Sequence, residues 1–184
     1  MFSYIAGSWR ILGDRMSLWV ARSADSGRTW TEPARVFTGG AAIARDNVVA
    51  ALATGELQAA WLVSGPDSTP DRLFVARSAD SGRTWRRVTS TVAGDPFRAM
   101  LFIGRSGTVD GFTFFPLPGH WETEHLRWAG GVWRECRVPR IDSLAYSRAG
   151  SDGARYRLAL TSRQTTKGGP LILATWLTTF SVPH

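Results

Sequence analysis

The chain has 184 residues, of which 43% are hydrophobic and 20% charged, the balance of a chain that buries a core rather than of a disordered segment. No stretch is long and apolar enough to read as a membrane-spanning helix. The formal charge is +7, but Lys167 is the only lysine and the arginines are scattered, with no basic run beyond Arg86-Arg87, which argues against a nucleic-acid surface.

The single cysteine, Cys136, excludes an internal disulfide and a cysteine-based zinc site. His120, His125 and His184 lack metal-ligand spacing, so no metal and no cofactor is expected. The opening MFSYIAGSWRIL lacks the basic-then-apolar pattern of a signal peptide and reads like a strand entered midway.

In chain order, residues 1–12 and 16–23 read as two antiparallel strands turning at Gly13-Asp14. The second runs into Ala21–Trp30, ARSADSGRTW, and the same ten letters return at Ala76–Trp85. Each copy contains S-x-D-x-G-x-T-W: Ser23, Asp25, Gly27, Thr29 and Trp30, then Ser78, Asp80, Gly82, Thr84 and Trp85. The preceding MSLWVARS and DRLFVARS alternate as strands do. Asp25 and Asp80 suit a turn stapled to its own backbone N–H groups, and Gly27 and Gly82 supply its positive φ. Trp30 and Trp85 are expected to open the returning strand and to pack a ring on a neighbouring sheet.

After the first copy, TEPARVFTG reads as an edge strand, and DNVVAALATGELQAAWLVS as a hairpin hinged at Gly55-Glu56. A breaker-rich loop over Gly65–Pro70 leads into the second copy, and RRVTSTV closes an up-and-down unit of four strands. FRAMLFIGRSG and TVDGFTFFPLP make the next hairpin, followed by a polar loop over Gly119–Glu124. LRWAGGVWRECRVP turns on Gly130-Gly131, a favoured hairpin pair, and aligning it with the repeat sets Trp133 on Trp85 and Trp128 on Asp80. A last unit starts at IDSLAYSRAGSDGARYRLALTS and ends in GPLILATWLTTFSV, expected to lack a partner strand.

A period near 50 residues with four strands per unit predicts an all-β propeller. About 3.5 four-stranded blades are counted: a partial blade 1–40, blades 41–93 and 94–139, and a partial blade 140–184. Closure then needs more chain or self-association. Arg45, Arg98 and Arg140 each fall at the link into an innermost strand, where propeller geometry draws them toward the axis as a site for an anionic ligand. His120, Glu122, Glu124 and His125 gather in one loop as acid–base candidates.

The form VARSADSGRTWTEPARV resembles the Asp-box, or BNR repeat, of the sialidase superfamily. The same box occurs in non-hydrolytic propellers, including sortilin-type receptors and photosystem assembly factors. The resemblance implies the C-terminal half or more of a six-bladed propeller, and an extracellular or periplasmic home. LAYSRAGSDGARYRLAL is similar to the inner hairpin of that family's last blade, which implies Tyr146 as nucleophile and Asp46, in place of the family's Glu, as its base. The family clamps its substrate's carboxylate with three arginines; here residues 60–63 read Ala-Trp-Leu-Val and residues 119–125 hold no arginine. The remaining arginine and the acid would lie upstream of Met1. The implied function is a retaining exo-glycosidase on sialic-acid-type or other anionic glycans. The alternative is a non-catalytic propeller that binds glycans or proteins. The expected partner is a glycan or another small anion, with neither nucleic acid nor membrane.

Overall fold

A computed structural model describes residues 2–4, 17–37, 43–64, 70–94, 96, 98–118, 120–137, 146–151, 155–164 and 172–181. These form fourteen strands in four separate antiparallel sheets, with no helix among the described residues. The first sheet joins β1 (Phe2–Tyr4), β2 (Leu18–Ser23) and β3 (Ala34–Phe37). The second runs β4 (Ile43–Ala51), β5 (Leu57–Ser64), β6 (Asp71–Ser78) and β7 (Arg86–Gly94). In the third, β8 (Arg98–Ile103), β9 (Val109–Leu117), β10 (His120–Ala129) and β11 (Val132–Arg137) follow the same order. The fourth holds β12 (Tyr146–Ser151), β13 (Arg155–Gln164) and β14 (Ile172–Ser181). Within every sheet consecutive strands are neighbours, so each is an up-and-down meander.

The second sheet is packed on both faces. Leu18 of β2 joins Ala59, Trp61 and Val63 of β5 and Phe74 and Ala76 of β6 on one side. Trp61 stacks on Phe74 with ring centroids 5.7 Å apart, and Phe37 of β3 tilts against both. On the other side Leu62, Leu73 and Ala93 meet Ala99 and Leu126 of the third sheet, while Ala60 and Val75 meet Val109 and Trp128. This double burial explains why LQAAWLV reads as an almost continuous apolar run: all seven residues are buried. Gly111 is dictated by the same contact, since a methyl group there would sit 2.9 Å from Leu73 Cδ2.

Three sequence expectations change. The polar loop over Gly119–Glu124 is largely strand: β10 begins at His120, which pairs with Leu117, and the ladder continues to Trp128. Its polar composition hid it, because pairing with the aromatic-rich β9 fixes the strand rather than any alternation of its own. The final segment does have a partner, since β14 pairs with β13 from Arg155↔Ser181 to Gln164↔Ile172. Trp30 does not open a strand, because β3 starts only at Ala34; Trp30 lies in the turn and is 43% exposed. Trp85 directly precedes β7 and packs against the aromatic core between the first two sheets.

Candidate functional site

β4, β8 and β12 are the first strands of successive sheets, and β8 lies beside both of the others. Asp46, in β4, breaks the ladder: Arg45 pairs with Leu62 and Asn47 with Trp61, leaving Asp46 as the extra residue of a bulge. Its φ of 42° is left-handed, uncommon for a residue with a side chain. The bulge turns its carboxylate across the seam between sheets, where Oδ2 accepts a 3.0 Å bond from Ala99 N of β8.

Arg45 and Arg98 are the residues immediately before Asp46 and Ala99, so the bond sets the two arginine positions at the starts of adjoining strands. Tyr146 is the first residue of β12 and pairs with Thr161. Arg140 and His184 lie outside the described residues.

The expected cluster of His120, Glu122, Glu124 and His125 is divided by the strand that carries it. His120 opens β10, and Glu124 and His125, being consecutive, point to opposite faces. His125 Nε2 lies 2.7 Å from Asp110 Oδ1, its ring stacks on Phe112 at 4.4 Å, and both members of the pair are buried. Glu124 faces the other way, opposite Thr113, whose buried hydroxyl has no partner among the described residues. Partial burial, then the charges of Glu135 and Glu122, push the Glu124 carboxyl up. Among the described residues, no three His, Cys, Asp or Glu side chains are grouped to hold a metal ion.

The repeated turns sit at the other end of the strands. Ser78 pairs with Leu57, which also faces Ala51, whereas Asp46 lies near the Ile43–Ser64 end. In the first copy Thr29 N and Thr29 Oγ1 donate to Asp25 Oδ1 and Oδ2 at 2.8 and 2.6 Å, and Ser23 Oγ donates to Oδ1 at 2.8 Å. Ser23 Oγ in turn accepts Gly27 N, and Trp30 Nε1 donates to Gly27 O. The second copy repeats this with Ser78, Asp80, Gly82, Thr84 and Trp85. Gly27 and Gly82 have φ of 91° and 90°. The Thr29 hydroxyl and backbone hold Asp25 down to about 2, and Thr84 holds Asp80 lower still.

A second polar link escaped sequence reading. Gln58 is fully buried in β5, where its Nε2 donates to Gly107 O of the third sheet at 2.9 Å and its Oε1 accepts Arg77 Nε at 2.8 Å. Arg77 also lies over the Trp128 ring. The available signal was one amide inside an apolar run; for the Asp110–His125 pair it was one carboxylate in the apolar β9.

No protein-family description matches this sequence, and no curated protein matches it. Among solved structures, the GH93 α-L-arabinofuranosidase of Fusarium graminearum with arabinobiose is similar over 91% of this chain and 55% of its own, with TM-score 0.56 and 13% identity. The α-L-arabinofuranosidase of that fungus with an iminosugar inhibitor gives TM-score 0.58 and 13% identity over 89% and 54%. The Penicillium chrysogenum α-L-arabinanase with arabinobiose gives 0.54 and 13% over 98% and 59%. The chain therefore spans little more than half the length of these structures. At such identity the likeness establishes the fold: the chain adopts a β-propeller arrangement of antiparallel sheets, two of four strands and two of three among the described residues.

Proposed function

We propose that the chain is part of a glycan-acting β-propeller whose ligand site lies where the innermost strands begin, at Arg45, Asp46, Arg98 and Tyr146. The observation that carries this reading is Asp46, a carboxylate placed by a strained bulge and fixed by a neighbouring strand's N–H. Such a group is oriented before any ligand arrives, and its other oxygen suits a sugar hydroxyl or a phenolic proton. The likeness to structures that hold arabinobiose and an iminosugar supports a carbohydrate as the ligand class.

In the catalytic form of this reading, Asp46 takes the phenolic proton of Tyr146 and the phenolate attacks the anomeric carbon. A separate acid protonates the departing oxygen, and the glycosyl–tyrosine is later hydrolysed with retention. The Asp-box resemblance of the repeats adds the narrower reading of a sialic-acid-type substrate, whose carboxylate Arg45, Arg98 and Arg140 would take. A second reading, a non-catalytic glycan-binding module, is favoured by the lack of arginine at 60–63 and 119–125.

The test is binding and turnover of arabinobiose and of a sialoside, followed by calorimetry and by sugar release. Tyr146→Phe is expected to abolish release while leaving affinity little changed, and Asp46→Asn to weaken both. Release at the wild-type rate by Tyr146→Phe would sink the nucleophile assignment. Binding without release by the unaltered protein supports the binding module, and binding of neither sugar overturns the proposal.

A further inference from the structure

On the outer half of the second sheet, two exposed arginines lean toward each other. Arg72, Phe74 and Ala76 of β6 face Val92, Ser90 and Arg87 of β7 in three successive rows. Phe74 and Ala76 belong to the cluster between the first two sheets, so these rows look to that side. The two outer rows lie four residues apart along β6, or roughly 13 Å, with Arg72 in one and Arg87 in the other. Each side chain turns to the middle row. Arg72 Nη2 donates to Ser90 Oγ at 3.2 Å, and the Arg87 guanidinium lies over the Phe74 ring at 5.6 Å.

This convergence sets two like charges side by side with no opposite charge between them. Among the described residues neither guanidinium has a carboxylate partner; their contacts are a neutral hydroxyl and a ring. Asp71, the one acidic residue of the two strands, is buried at the start of β6, where Ser64 donates to it. Both arginines are exposed and Ser90 is half-buried, so the group is open to solvent. The internal repeat shows what is different here. When the two copies are aligned, Ser17, Trp19, Glu32 and Arg35 stand where Arg72, Phe74, Arg87 and Ser90 stand. In the first sheet one arginine, Arg35, lies over the ring of Trp19 at 5.8 Å. That copy therefore balances one arginine with one acid, where the second sets two arginines and a hydroxyl.

We propose that Arg72, Arg87 and Ser90 hold a tetrahedral oxyanion, the sulfate or phosphate ester of a sugar. Arg72 Nη2 occupies a lone pair of Ser90 Oγ and leaves its O–H to donate outward. Two guanidiniums and a hydroxyl then offer donors from three directions, which the three outer oxygens of such an ester can use together. A planar carboxylate is already filled by one guanidinium fork. Trp85, half-buried two residues before Arg87, packs on the same aromatic cluster and gives the sugar ring an apolar neighbour. The site is independent of the inner-strand reading, because β6 and β7 are the outer strands of the sheet and Asp46 belongs to β4 at its other edge.

The experiment is titration of glucose 6-sulfate and glucose 6-phosphate, with glucose and glucuronate as controls, into the 15N-labelled protein. It is read on the Ser90 amide and on the Arg72 and Arg87 Nε–H resonances. Saturable shifts are expected with the esters, at an affinity at least about tenfold above that for either control and falling as salt is raised. The tighter ester names the source of the oxyanion, and either one supports the proposal. Arg87→Glu, which installs the residue of the first repeat at this exposed place, is expected to weaken ester binding at least about tenfold while the protein stays folded. Arg72→Gln is expected to weaken it at least about fivefold. No saturable shift at these resonances, equal affinity for glucose or glucuronate, or unchanged affinity in a folded Arg87→Glu protein would each overturn the proposal.

Discussion

Gln58→Leu tests whether the sheets are held in register by one buried amide. The side chains are close in volume, so the packing between Ala60, Leu62 and their partners is preserved, and the loss is that of polar bonds. Two groups lose their partner: the Gly107 carbonyl, buried in the β8–β9 turn, and Arg77 Nε. A buried carbonyl left unpaired costs about 1–2 kcal/mol. Arg77 is only half-buried and recovers part of its bond from water, so about 1 kcal/mol is assigned to it. The expected destabilisation is therefore about 2–3 kcal/mol, or a fall of roughly 4–12 °C in melting temperature for a chain of this size. Urea denaturation monitored by tryptophan fluorescence reads it directly, as a shift of midpoint at constant slope. Arg77→Met on the Gln58→Leu background is expected to cost less than it does alone, since the partner is already gone. A loss below about 0.5 kcal/mol, the size of an ordinary surface change, would refute the reasoning.

Further outcomes follow from the same geometry. Asp25, held down to about 2 from an ordinary 3.8, and Asp80, held lower, contribute stability that is full above about pH 4 and is lost as pH falls through their folded values. A pH series of urea melts on Asp25→Asn, Asp80→Asn and the double variant should show this acid-side slope flattening, most in the double variant. Glu124 carries the opposite sign: its carboxyl is raised above 4.5, so the folded state holds the proton more tightly and stability declines as pH rises through that range. Glu124→Gln should remove that decline in the same series, while Glu122→Gln, one contributor to the shift, should only reduce it. Gly94→Ala combines a φ of 71° with a new methyl 3.0 Å from Phe115, and a loss of about 1–3 kcal/mol is expected in urea.

What the sequence discloses is what repeats locally. The ten shared letters specify a turn whose bonds all close within eight residues of Ser23 or Ser78, so identical sequence yields the same donor–acceptor set twice. Strand periodicity likewise announces β2 and β6, and Gly130-Gly131, with φ of 58° and 84°, forms the tight β10–β11 turn. The seam between sheets is different, because its contacts join residues dozens of positions apart. Gln58 reaches Gly107, and Asp46 reaches Ala99, and nothing in either neighbourhood names the partner. The Asp46 bulge is silent for a further reason: one unpaired residue in β4 leaves the apolar pattern of VVAAL intact on either reading.

The two copies of the repeat show how far local identity reaches. Gly82 is buried while Gly27 is half-exposed, although both lie in the same ten letters. The second turn receives Arg22 from the sheet before it, and Arg77 in turn meets Trp128, which the strand registers set at the place that Ser78 holds in the second sheet rather than at that of Asp80. The repeat arginine is therefore the element that passes from each of these sheets to the next, and its partner changes at every step: a carbonyl at Arg22, an amide and an indole at Arg77. A propeller assembled this way keeps its turns uniform and varies its seams. Any chemistry specific to this chain is thus to be sought where the seams differ, as at the Asp46 bulge.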